Sequence, residues 1–121
     1  MITFLLFAGA AILLFWGLMH ISKTAPVVKT FGELSIDKKR ILSMEWISEG
    51  ILLVFLGLLV TAATLVEPHI PVAYWLSAVT LLVMAAVSLA TGARTPQLPF
   101  KLCPPIFTIA AALILAGSLL L

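Results

Sequence analysis

The chain has 121 residues, of which 63% are hydrophobic and 10% are charged, and its formal net charge is +2. Soluble globular domains carry about 25% charged residues, so this composition excludes a water-soluble domain and indicates an integral membrane protein in a lipid bilayer. The length predicts one membrane domain over residues 1–121, without a second, soluble domain.

Four long apolar runs follow one another along the chain. Each approaches or exceeds the roughly 17 to 25 residues that an α-helix needs to cross the hydrocarbon core. The runs are too long and too uniformly apolar for the alternating strands of a membrane β-barrel. The sequence therefore predicts an all-α fold, a bundle of four transmembrane helices over about residues 2–21, 41–66, 70–91 and 104–121.

The basic residues are confined to the first and third predicted connections. Because basic loops are retained in the cytoplasm, this asymmetry predicts that both termini lie on the non-cytoplasmic side. We expect the protein to lie in the plasma membrane of a prokaryote, that is, in its inner membrane. The basic residues form no stripe with interleaved aromatic side chains, so nucleic acid is not an expected partner. They are Lys23, Lys29, Lys38, Lys39 and Arg40 in the first connection and Arg94 and Lys101 in the third.

The first connection, residues 22–40, is long for so small a protein and carries several apolar side chains. This pattern predicts that the connection lies on the bundle or on the membrane surface instead of extending into water. The apolar side chains are Val27, Val28, Phe31, Leu34 and Ile36.

Two glutamates stand at the start of the second predicted helix. Glu45 and Glu49 are four residues apart, so they share one helix face and lie roughly 6 Å apart along the axis. The run Gly50–Val66 is long enough to cross a thin hydrocarbon core by itself, and both carboxylates could then be solvated and paired with residues 38–40. Ionisable groups at greater depth mark functional sites, and Glu49 is the deeper of the two.

His20 ends the first predicted helix on the same side of the membrane. Helices joined in sequence are usually neighbours, so His20, Glu45 and Glu49 are predicted to converge as candidate catalytic residues. An imidazole beside carboxylates could exchange a proton with an apolar substrate, provided that the fold encloses a cavity between His20 and Glu49. The alternative is a structural histidine bonded to a carbonyl at the helix end.

Three further residues on this side are candidates for ligand contacts: Trp16, Trp46 and Arg94. Indole rings are common at the membrane interface, where they act as anchors at headgroup depth. Anchoring is therefore the simpler interpretation of Trp16 and Trp46.

The sequence predicts neither a metal site nor a cofactor. Carboxylate metal sites in helical bundles use a Glu-x-x-His pair on each of two helices, and this chain contains no such pair. Cys103 is the only cysteine, so no intramolecular disulfide can form. We interpret it as an unreactive thiol beside a helix start.

The segment EWISEG, residues 45–50, opens the second predicted helix, and the basic segment TGARTP, residues 91–96, follows an alanine-rich third helix. This layout resembles the small four-helix membrane proteins of the DoxX-like group. The resemblance implies a four-helix bundle, and members of the group have been linked to quinone-associated redox assemblies or have no known activity. The long basic first connection and the second glutamate fall outside that pattern, so no catalytic residue is carried over.

Three functions are compatible with these features. The first and broadest, which we favour, is a binding or accessory subunit whose cytoplasmic half holds a lipophilic molecule, a quinone, a lipid headgroup or a partner subunit of a membrane complex. The second is a membrane enzyme that uses Glu49, Glu45 and His20 for isomerisation, cyclisation or epoxide opening of a lipophilic substrate. The third is a homo-oligomeric, proton-coupled transporter with an embedded glutamate.

Overall fold

The structure is a computed structural model that describes residues 2–121. Four of its helices are long and apolar enough to cross a membrane, and residues 2–121 contain no strand. The prediction of an all-α four-helix bundle is therefore confirmed. The helices are α1 Ile2–Ser22, α2 Thr24–Lys29, α3 Ile36–Val66, α4 Val72–Ala90 and α5 Leu98–Leu120, and a 3₁₀ turn, Gly92–Arg94, precedes α5.

The helix α3 begins at Ile36, five residues before the predicted start. Ser35 caps it, because its side chain accepts a hydrogen bond from the backbone N–H of Lys38 at 3.3 Å. Asp37 in the first turn adds a negative charge where the helix dipole favours one. The charged segment therefore extends the apolar span by about one turn instead of remaining a loop.

The helix α5 begins at Leu98, six residues before the predicted start at Pro104. Pro99 occupies the first turn, where a backbone N–H needs no helical partner. Pro104 and Pro105 then lie inside the helix, and each removes one N–H from its hydrogen-bond ladder. The residues between the predicted and the observed start thus belong to the bundle.

The first connection is folded onto the bundle, as the sequence predicts. Its helix α2 packs against α3 and buries Val27 and Val28. The first and third connections also meet, because Gln97 Nε2 donates a hydrogen bond to the carbonyl oxygen of Thr30 at 3.4 Å. The rings of Phe31 and Phe100 lie edge to face at 5.6 Å. We call this end of the bundle, formed by residues 22–40 and 91–103, the basic end.

The four long helices contact one another unequally. The helix α1 packs extensively on α3 and on α5, and α4 packs on α5, whereas α3 and α4 contact each other only slightly. Each long helix contributes fully buried side chains to one core. A hydrogen bond of 3.2 Å between Thr64 Oγ1 and Tyr74 Oη joins α3 to α4 near their short connection. The two helices therefore hold together at the end opposite the basic end.

Glycines bring α1 into backbone contact with its neighbours. A Cβ atom at Gly50 would lie 2.9 Å from the carbonyl oxygen of Gly17, and one at Gly17 would lie 2.8 Å from the carbonyl oxygen of Gly50. Gly57 similarly faces Leu14 of α1, and Gly117 of α5 faces Leu6. Close packing of this kind is a main source of helix association in lipid. The hydrophobic effect does not favour a helix contact over a lipid contact there, because the lipid chains are as apolar as the helix faces.

We predict that Gly50→Ala lowers the stability of the purified protein in detergent. The added methyl group overlaps the Gly17 backbone, and overpacking of this kind costs about 1–3 kcal/mol. The matched control is Ala62→Val, which enlarges an exposed position of the same helix. Equal unfolding midpoints for Gly50→Ala and Ala62→Val would contradict the close packing of α1 on α3.

We also predict that the basic end is cytoplasmic, because basic connections are retained on that side. In a Cys103→Ser background, Glu67→Cys lies in the opposite turn and Lys38→Cys lies at the basic end, and both positions are exposed. A membrane-impermeant maleimide should label Glu67→Cys in intact cells and Lys38→Cys only after permeabilisation. The reverse labelling pattern would place the basic end on the non-cytoplasmic side and would contradict the prediction.

Candidate functional site

A buried polar cluster lies near the basic end, where α1, α3 and α5 meet. His20, Glu49 and Cys103 each direct one potential ligand atom into it, and these atoms lie within 4.8 Å of one another. His20 and Cys103 are buried, and Glu49 is half-buried. The predicted convergence of His20 with Glu49 is therefore confirmed, but Glu45, one turn earlier on α3, is exposed and does not belong to the cluster.

Two indole rings enclose the imidazole of His20. Trp46 of α3 stacks on it with ring centroids 3.8 Å apart and an interplanar angle of 13°. Trp16, one turn before His20 on α1, meets it edge to face at 5.6 Å. This arrangement of rings depends on the contact between Gly17 and Gly50, since a Cβ atom at Gly50 would also lie 2.9 Å from His20 Cβ. His20 is consequently 1% exposed.

Cys103 supplies the third member of the cluster from α5. Its Sγ lies 3.6 Å from His20 Nε2 and 3.4 Å from the carbonyl oxygen of Pro99. The sequence predicts this cysteine just before the fourth helix, beside its expected start at Pro104, whereas it lies inside α5. The available signal was Pro99, a residue type favoured in the first turn of a helix, which could have indicated the earlier start.

Several polar atoms of this cluster lack a hydrogen-bond partner within the described residues 2–121. They are the indole nitrogens of Trp16 and Trp46 and Nδ1 of His20. Buried polar groups are nearly always paired, because an unpaired one loses its hydration without compensation. The two indole N–H donors and Nδ1 of the imidazole are therefore exceptions to this rule.

A cavity of about 420 Å³ lies beside the cluster, between the basic-end halves of α3 and α4. It exists because these two helices contact each other only slightly. Glu45 and Glu49 line one wall, as their shared helix face predicts, and Trp46 lines it as well. Its other residues include Val28 and Phe31 of the first connection, Met84, Val87 and Ser88 of α4, and Phe100 of α5.

The remaining candidate residues divide between the cluster and the surface. Trp46 lines the cavity, whereas Trp16 and His20 are not among its lining residues, and His20 stacks on the ring of Trp46. Arg94 lies in the 3₁₀ turn, is exposed and does not line the cavity either. The structure thus brings Glu45, Glu49 and Trp46 to one cavity and leaves Arg94 outside it.

Together, the four apolar helices define a small multi-pass membrane protein with a polar cluster near one end of the bundle. Comparison of the chain with models of known protein families, with curated proteins and with solved structures finds no match. The resemblance to the DoxX-like group therefore stays a prediction.

We predict that Cys103 is unreactive toward maleimides in the folded protein, because its side chain is 2% exposed and a buried thiol is inert. The control is the Cys103→Ser/Lys38→Cys variant, whose single thiol is at an exposed position of α3. Mass spectrometry should show rapid modification of the control and modification of the native thiol only after denaturation. Comparable rates for the two proteins would contradict the burial of Cys103.

Proposed function

We propose that this protein binds a lipophilic small molecule in the cavity between α3 and α4. One observation carries the proposal: the cavity has a volume of about 420 Å³ and a mainly apolar wall that also holds two glutamates. Small-molecule sites are typically cavities of about 300–1,000 Å³ in which a few polar groups orient an apolar ligand. We further propose that the site lies in the cytoplasmic half of a prokaryotic inner-membrane protein, in keeping with the predicted topology.

The cavity wall favours an amphiphile with an apolar body and one polar head. Leu52, Met84 and Val87 provide contacts for the apolar body. Glu49 is half-buried at the same wall and accepts hydrogen bonds when ionised, so it suits a hydroxyl or amino head group. Trp46 lines the same wall as that carboxylate.

The first connection closes the basic end of the cavity. Val27 and Val28 of α2 are buried and line it, and Phe31 and Phe100, whose rings meet edge to face, line it as well. Few other contacts hold α2, which packs mainly on α3. A segment of this kind would separate the ligand from water while the space between α3 and α4 gives access from the bilayer.

The geometry supports binding more than acid–base catalysis. The catalytic interpretation requires His20 to face a cavity shared with Glu49, but Trp46 forms that wall and His20 is not a lining residue. An acid–base role for Glu49 and Glu45 stays a prediction, as do the homo-oligomeric transporter and the role of a partner subunit.

We predict that filling the cavity displaces the ligand. Met84→Trp places a larger side chain at the wall, whereas Leu82→Trp makes the same change at an exposed position of α4 that does not line the cavity. Organic extracts of the purified proteins, compared by mass spectrometry with the bulk membrane lipid, should show an enriched lipophilic molecule with wild type and Leu82→Trp and none with Met84→Trp. Identical extracts from all three proteins would overturn the proposal.

We also predict that Glu49→Gln weakens binding of a brominated long-chain alcohol, because a hydrogen bond to a charged group contributes about 1.5–3 kcal/mol, which is a factor of about ten or more in affinity. The readout is quenching of tryptophan fluorescence in a Trp75→Phe background, which removes an exposed indole of α4 and leaves Trp46 at the cavity wall and Trp16 beside His20. Glu67→Gln, at the opposite end of α3, is the matched control and should bind like wild type. An unchanged affinity in Glu49→Gln would exclude the carboxylate from the site.

A further inference from the structure

We propose that His20, Glu49 and Cys103 form a binding site for one divalent metal ion of the zinc class. The three side chains come from three different helices, α1, α3 and α5, and converge at one point within the described part of the chain. Imidazole, carboxylate and thiolate are the three ligand types that zinc uses in proteins. This proposal does not depend on the lipophilic ligand.

The separation of the sulfur and nitrogen atoms fits a shared metal ion. Zn–S bonds of about 2.3 Å and Zn–N bonds of about 2.0–2.1 Å at a tetrahedral angle place the two ligand atoms about 3.6 Å apart. Cys103 Sγ and His20 Nε2 lie 3.6 Å apart. The potential ligand atoms of all three residues lie within 4.8 Å of one another. A side-chain rotation that moves a carboxylate oxygen of the half-buried Glu49 by about 1 Å would therefore complete the set.

The charges of the ligands also fit a dication. A thiolate and a carboxylate together carry two negative charges, which cancel the charge of Zn²⁺ and leave the site neutral. An uncompensated charge in an apolar interior is strongly unfavourable, so a neutral site is the arrangement that a lipid-embedded bundle tolerates. A monovalent cation would leave one negative charge uncompensated at the same place.

An independent observation points to a ligand at this position. The imidazole of His20 is 1% exposed, so its ring nitrogens are shielded from water. Its Nε2 faces a thiol, which is a weak hydrogen-bonding group. A metal ion bound at Nε2 would replace this weak contact with a strong interaction.

The predicted absence of a metal site rested on the missing Glu-x-x-His pairs. That criterion applies to sites built from ligands one turn apart on the same helix. Here each helix supplies a single ligand, so the ligand set has no characteristic spacing in the sequence.

Zinc binding would release the thiol proton of Cys103 to solvent, since a metal binds the thiolate form. Three protein ligands leave the fourth position for a water molecule or another small ligand.

The test uses the full-length protein in detergent, purified with a tag that contains no histidine and freed of metal with a chelator. Co²⁺ serves as the spectroscopic substitute for Zn²⁺. We expect one Co²⁺ per chain, a thiolate-to-cobalt charge-transfer band in the near ultraviolet and visible d–d bands typical of low coordination number. Added Zn²⁺ should displace Co²⁺ and abolish these bands.

The variants separate the cluster from adventitious sites. Cys103→Ser should abolish the charge-transfer band, and Glu49→Gln should weaken Co²⁺ binding at least about tenfold, since even outer contacts of a metal site contribute that much. The matched control is Glu67→Gln/His69→Gln, which removes a carboxylate and the other histidine of the chain from the opposite turn. This control should bind Co²⁺ like wild type.

Two outcomes would overturn the proposal. Binding that is equally strong in Cys103→Ser and wild type would assign the metal to other residues. Metal-free protein that develops no charge-transfer band with excess Co²⁺, while its thermal unfolding remains cooperative, would leave the contact between Cys103 and His20 as a simple S–H···N hydrogen bond. Because the cooperative unfolding is measured on the same sample, a misfolded protein cannot produce that result.

Discussion

The contact between the backbones of α1 and α3 at Gly17 and Gly50 determines the structure of the basic end. In lipid, helices associate through close packing because the surrounding chains are as apolar as the helix faces. Gly17 lies one turn before His20, and Gly50 directly follows Glu49 and lies one turn after Trp46. The same contact that joins the helices therefore stacks His20 on Trp46 and places it near Glu49.

The slight contact between α3 and α4 is as important for the site as the close packing of α1. Tight contacts of α1 with α3 and α5 hold three ligand-type side chains together, whereas α3 and α4 are joined mainly near their short connection. A cavity lies between their other halves, and Glu49 belongs to both the cavity wall and the polar cluster. A change at this residue therefore affects both features, while Cys103 and Met84 each belong to one of them.

The four-helix fold was predictable because the length and composition of an apolar run report directly on its environment. The pairing of Glu45 with Glu49 was equally accessible, since residues four apart share a helix face. The start of α5 was harder to predict, because a proline pair suggests a helix start although both prolines lie inside the helix. Cys103 was consequently missed as a neighbour of His20, as local sequence carries no record of a contact 83 residues away.

The sequence alone determined the membrane class, the four spans, the confinement of basic residues to two connections and the shared face of the two glutamates. These properties depend on composition and on the period of the helix, and both are local. The tertiary structure decided which glutamate joins His20, which indole stacks on it, and that a cysteine completes the cluster. Those outcomes depend on how closely and at what rotation helices pack, which is set by glycine contacts between segments distant in sequence.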